Sequence, residues 1–126
     1  MAFKELFRGW KDVEEFDKAG VIFKERDKAG EMYFILSGQV DLALHGNVFD
    51  QASEGGIVGE MAILESAEQI ATATASKGTK LARINRSQLN ELINGNAEFS
   101  KHVMAVLATR LRAVDHYISQ QTSEKG

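Results

Sequence analysis

A chain of 126 residues with 44% apolar content is long enough for one domain with a real core and too short for two comfortable ones. Its formal net charge of −3 gives no overall basic field to draw it onto nucleic acid or anionic lipid. It has no cysteine, which excludes disulfides, thiolate catalysis and cysteine-ligated metal, and no stretch reaches the roughly 18 apolar residues that cross a bilayer, so a cytoplasmic protein without a membrane segment is expected.

The N-terminus, MAFKELFRGWKDVEEF, is too charged to hold the apolar core of a signal peptide. From Val13 to Asn85 the pattern is short and strand-like, with β-branched and aromatic residues between glycines: VIFKE, EMYFILSG, QVDLAL, NVFDQA, IATATAS and TKLARIN. In QVDLALH, Val40, Leu42 and Leu44 fall on one face and Gln39, Asp41, Ala43 and His45 on the other, as a half-buried strand requires. The Gly38-Gln39 and Gly46-Asn47 junctions suit tight turns, because glycine accepts the positive φ that hairpin turns demand. Six or more short strands at close spacing predict a barrel or sandwich. With no proline in the chain, glycine and polar residues make every turn.

Within this region, VGEMAILESAEQIATATA (58–75) reads as a loop built to hold a phosphate. It has a Gly-Glu pair, a short apolar stretch able to turn as a helix, and a run of small and hydroxyl residues. Such a cradle is usually completed by an arginine fork, and the nearest position here holds Gln69.

After Asn85 the hydrophobic period becomes helical. Asn85 with Gln88 three residues on resembles a capping box, opening a short helix that stops near Asn94-Gly95-Asn96. A longer helix is predicted from about Ala97 to Ile118. Along it, Met104, Leu107, Leu111, Val114 and Ile118 repeat with the spacing of a coiled-coil seam, and Phe99, Val103 and Val106 form a second stripe near its start. Either both stripes make one wide core-facing surface, or the early stripe docks on the sheet while the seam pairs with a second copy. QQTSEKG closes the chain as a polar tail.

This order of elements resembles the cyclic-nucleotide-binding domain of the catabolite-activator type. The resemblance runs from about Phe16 to Ile118 through FDKAGVIFKERD (16–27), MYFILSGQVDLAL (32–44), GGIVGEMAIL (55–64), ATATA (71–75) and VLATRLR (106–112). It implies a mainly β fold with flanking α. An eight-stranded β-roll of jelly-roll type, about 13–85, holds a phosphate-binding cassette between two strands and is closed by a short and a long C-terminal helix, about 86–118, with a polar tail at 119–126. Members of that family bind cAMP or cGMP and pass the signal to an attached output domain.

Carried over residue by residue, the resemblance places Gly59 at the tight turn and Glu60 where the family's glutamate accepts a hydrogen bond from the ribose 2′-hydroxyl, followed by Met61 and Ala62. Where the family carries a Pro-Arg pair this chain has Glu68-Gln69, and where a small residue follows it has Ile70, then Ala71. Charge-assisted hydrogen bonds contribute about 1.5 to 3 kcal/mol against roughly 1 for neutral ones, so glutamine for arginine predicts phosphate binding ten-fold weaker or more. Glu65 and Glu68 are expected to flank the site and repel the phosphate further. By resemblance Arg110 is turned toward the cassette glutamate, to pair with Glu60 or reach the ligand; the plain alternative is a solvated helix arginine. Val114 and Asp115 stand where some family members present hydroxyl side chains to the base. The expected ligand-binding set is Gly59, Glu60, Met61, Ala62, Gln69, Ile70, Ala71 and Arg110, with no metal and no cofactor.

These readings predict a regulatory ligand-sensing module whose ligand is cAMP, cGMP or another small molecule, bound weakly or lost. Its output is expected to pass through the C-terminal helix to a dimer mate or partner, and a homodimer through the Met104 to Ile118 seam is expected. The alternative is a ligand-free dimerisation module that retains the fold. An enzyme is not expected: His45, His102 and His116 lack metal-ligand spacing and no nucleophile elbow is present. Nor is DNA binding by this chain alone, since the about eight polar residues after Ile118 cannot make a recognition helix.

Overall fold

Strands form where apolar residues alternate between glycines. The computed structural model describes residues 2–65 and 67–125. Among them are β1 Val13–Phe16, β2 Val21–Phe23, β3 Glu31–Ser37, β4 Gln39–Leu44, β5 Asn47–Ser53, β6 Ile57–Val58, β7 Thr72–Ala75 and β8 Thr79–Asn85. They build two antiparallel sheets, ordered β1-β8-β3-β6 and β2-β7-β4-β5, and this is the expected eight-stranded β-roll. Successive residues of a strand point to opposite faces, so on β3 Phe34 enters one apolar cluster and its neighbour Ile35 the other. Phe34 shares its cluster with Met32, Ile57, Ile84, Leu89 and Phe99. Ile35 shares the second with Phe23, Val40, Leu42, Val58 and Leu81.

The β4 alternation holds for Val40 and Leu42, which are buried, while Leu44 is only half-buried as the hairpin leaves the core. His45 and Gly46, with φ of 51° and 84°, make the two-residue turn into β5. Between Leu42 and Ala43 the β4–β5 register shifts: Leu42 faces Asp50 and Ala43 faces Val48, which leaves Phe49 as the extra residue of a bulge. Gly38 takes φ of 103° between β3 and β4, where a Cβ would stand 2.6 Å from both the Gly78 carbonyl oxygen and the Thr79 Cα.

An N-terminal 3₁₀ helix, Ala2–Phe7, precedes the strands, although the sequence reading places no element before Val13. Aromatic packing holds it. Phe7 stacks on Phe34 at 4.5 Å and meets Trp10 at 4.9 Å, while the Trp10 indole N–H donates to the Arg83 carbonyl at 2.9 Å.

Three α-helices follow the chain: α1 Glu60–Glu65, α2 Arg86–Gly95 and α3 Ala97–Lys125. The capping box is present, with Asn85 Oδ1 accepting from the Gln88 amide at 2.8 Å and Gln88 Oε1 accepting from the Asn85 amide at 2.9 Å. Asn96 ends α2 and its side chain caps α3, accepting from the Phe99 amide at 2.8 Å. The long helix continues past Ile118 to Lys125 and takes in most of the expected polar tail. Ser119 to Lys125 contain neither glycine nor proline, so nothing in them breaks the backbone ladder.

The two stripes of α3 separate. Phe99 and Val103 are buried and Val106 half-buried against the first cluster. Met104, Leu111 and Ile118 are more than half exposed, at 60%, 53% and 53%, with Leu107 and Val114 half-buried between them. The single wide core-facing surface is therefore not what forms. No described helix is long and apolar enough to cross a membrane.

Candidate functional site

The cassette lies between β6 and β7. Gly59, with φ of 82°, turns the chain out of β6 directly into α1, and a Cβ there would stand 3.3 Å from the Glu31 carbonyl oxygen. Glu60 is the first residue of α1 and is 2% exposed, so its carboxylate must find partners inside the protein.

Arg110 supplies them from α3. Its Nη1 donates to both Glu60 oxygens at 3.1 and 3.0 Å, its Nε to Asp50 Oδ2 at 2.8 Å, and its Nη2 to the Ile57 carbonyl at 3.1 Å. Arg110 is 7% exposed, which rules out the solvated reading and establishes the ion pair across the pocket. Burial raises the Glu60 carboxyl above its ordinary value, with the Arg110 charge opposing that shift and Asp50 adding to it. Two carboxylates thus share one guanidinium.

Gln69 is also buried, and its main chain is pinned: the Gln69 amide donates to the Asp27 carbonyl at 2.8 Å, and its carbonyl accepts from the Arg26 amide at 2.7 Å. Its side chain lines a small cavity.

That cavity is lined by Gly59, Glu60, Met61, Gln69, Ile70, Ala71 and Arg110 together with Phe23, Leu42 and Phe49. Its volume of about 20 Å³ is room for a single water. Of the expected set, Ala62 does not reach it; that side chain is buried beneath α1, because successive helical residues face about 100° apart. Val114 and Asp115 do not line it either.

The expected electrostatic flank is corrected as well. Glu65 and Glu68 are exposed and do not line the cavity; the second carboxylate on the Arg110 guanidinium is Asp50, which stands outside the cavity lining. Asp50 was not legible because the bulge at Phe49 delivers it, and bulges leave no period in the sequence. The aromatic walls, Phe23 and Phe49, read as ordinary strand residues for the same lack of a local signal. Among the described residues no three His, Asp or Glu side chains converge to hold a metal ion.

Residues 13–96 match the family described as cyclic nucleotide-binding domain. The chain is 28% identical over 111 residues to lysophospholipase nte1 of Aspergillus terreus, covering 84% of this chain and 7% of that protein. It is 27% identical over 105 residues to the Pycsar effector protein XpPycTIR of Xanthomonas perforans, covering 82% of this chain and 35% of that one. It spans only a part of each of these curated relatives. Among solved structures, the catabolite activator protein of Thermus thermophilus superposes with a TM-score of 0.75 at 25% identity, over 94% of this chain and 58% of that chain. A match that runs over more than half of the sequence, on the same two-sheet roll, makes this chain a member of the cyclic nucleotide-binding domain family.

Proposed function

We propose that this chain is a regulatory ligand-sensing module in which binding of cAMP or cGMP is weakened or lost, and which signals through α3 to a second copy or another partner. One observation carries the reading: Glu60, the carboxylate that lines the cavity, is tied by Arg110 directly to α3. Any ligand that competes for Glu60 changes what holds that helix. The weak-binding half rests on charge. Position 69 is a neutral amide, and Arg110, the one cation lining the cavity among the described residues, already serves two carboxylates and a carbonyl.

The activities named for the lysophospholipase and the Pycsar effector are those of proteins of which this chain matches 7% and 35%, and the described residues that line the cavity include no nucleophile beside a base. A regulatory role fits the chain better than a catalytic one. The exposed seam at Met104 and Leu111 favours a second reading, a dimerisation module without ligand.

Isothermal titration with cAMP and cGMP separates the two and tests the charge argument. Gln69→Arg is expected to bind cAMP at least about ten-fold more tightly than the unmodified chain. Equal affinity in both proteins would count against Gln69 as the clamp position.

A further inference from the structure

We propose that Phe49 is the gate of the cavity: its ring takes up room a ligand needs and is built into the grip of β4 and β5 on α3. This rests on the ligand-sensing reading above and names the residue that controls entry.

Volume comes first. The cavity measures about 20 Å³, too little for a sugar or a phosphate. Strands contribute three large side chains to its wall, Phe23 from β2, Leu42 from β4 and Phe49 from β5. Phe23 and Leu42 belong to the second apolar cluster and are 7% and 2% exposed, so moving either leaves a void in the core. Phe49 is half-buried at the margin of that cluster, and its ring can swing out without emptying the core.

The way Phe49 reaches the cavity also ties it to α3. Alternation sends successive strand residues to opposite faces, but the bulge in β5 lets Phe49 and Asp50 approach α3 together. The Phe49 ring lies 6.2 Å from that of Tyr117, tilted by 55°, and Asp50 accepts from Arg110 at 2.8 Å. Asn47 Nδ2 donates to the Tyr117 hydroxyl at 3.3 Å, and that hydroxyl donates to the Leu44 carbonyl. The hairpin therefore holds α3 at Arg110 and again at Tyr117, roughly two turns further on at about 3.6 residues per turn. In sequence, Phe49 stands between Asn47 and Asp50, which make those two holds. Swinging its ring out takes away the aromatic neighbour of Tyr117 and disturbs the segment that carries both, so that opening the cavity and loosening α3 are one event.

Titration calorimetry with cAMP and hydrogen exchange of the full chain test the gate. The Gln69→Arg/Phe49→Ala double variant is expected to bind cAMP at least about ten-fold more tightly than Gln69→Arg alone. Without ligand, residues 111–125 should exchange faster in Phe49→Ala than in the unmodified chain. Circular dichroism checks each fold, and Phe49→Leu, which keeps an apolar branch but no ring, replaces Phe49→Ala if the alanine variant does not fold. Equal cAMP affinity with and without the ring, or no binding by the folded double variant, overturns the gate, as does exchange in α3 that the ring does not alter. The weak-binding reading fails on a different comparison, the unmodified chain against Gln69→Arg.

Discussion

Arg110 sets one nitrogen between both oxygens of Glu60, and the paired side chains are only 8% and 2% exposed. Removing one partner of a buried pair leaves a charge with no compensation, which costs far more than the pair contributes. Arg110→Met is therefore expected to destabilise the fold by about 3 to 5 kcal/mol in urea unfolding, with Arg110→Lys between the two because it keeps the charge without the fork. A loss below about 1 kcal/mol would mean that the pair is not formed in solution.

Glu60 also predicts a pH dependence with a definite sign. Burial lifts its folded-state pKa above the ordinary 4.5, so over that interval the native protein holds a proton that the unfolded chain has released. Stability attributable to Glu60 falls as pH rises from 4.5 through the raised value. Urea midpoints followed from about pH 4 to about pH 8 should decline in the unmodified chain relative to Glu60→Gln. Parallel profiles would remove the burial effect from the account.

The α3 seam predicts an association that one substitution abolishes. Leu111 is 53% exposed, so Leu111→Glu should leave monomer stability within about 0.5 kcal/mol while turning a dimer into a monomer in sedimentation. An unchanged mass relative to the parent chain would exclude this seam as the interface.

Gly38 and Gly78 form a matched pair for a backbone test. An alanine methyl at Gly38 would collide with the Gly78 carbonyl and the Thr79 backbone at positive φ, whereas the same methyl at Gly78 meets nothing within 4 Å. Gly38→Ala should lower stability by more than about 2 kcal/mol and Gly78→Ala by less than about 1, measured by thermal unfolding.

What could be read in advance follows the range of the interaction. Local chemistry was legible: the alternation of Val40 and Leu42, a glycine turn at Gly46 (one residue earlier than the expected Gly46-Asn47 junction, since Asn47 already pairs with Leu44) and the Asn85–Gln88 capping box depend on residues a few positions apart. The Glu60–Arg110 pair, 50 residues apart, was reached only through resemblance to a known family. The N-terminal helix escaped notice because Phe7 is held by Phe34 and Phe99, contacts with no periodic trace. Asp50 escaped because one inserted residue in β5 decides which side chains turn inward. The end of α3 was set too early for another reason: loss of apolar periodicity ends burial, and polar residues without a breaker extend a helix freely.

The length of α3 has a mechanical consequence. The helix is gripped near one end by Phe99 and Val103, at its middle by Arg110, and by Tyr117, whose hydroxyl donates to the Leu44 carbonyl at 3.3 Å. From Arg110 onward it forms a rod of about 22 Å at roughly 1.5 Å per residue, so a pivot of about 10° there sweeps the tip at Lys125 through roughly 4 Å. Under the proposed signalling role, such a pivot would have to break the Tyr117 bond to Leu44 before the tip could shift against a neighbouring molecule.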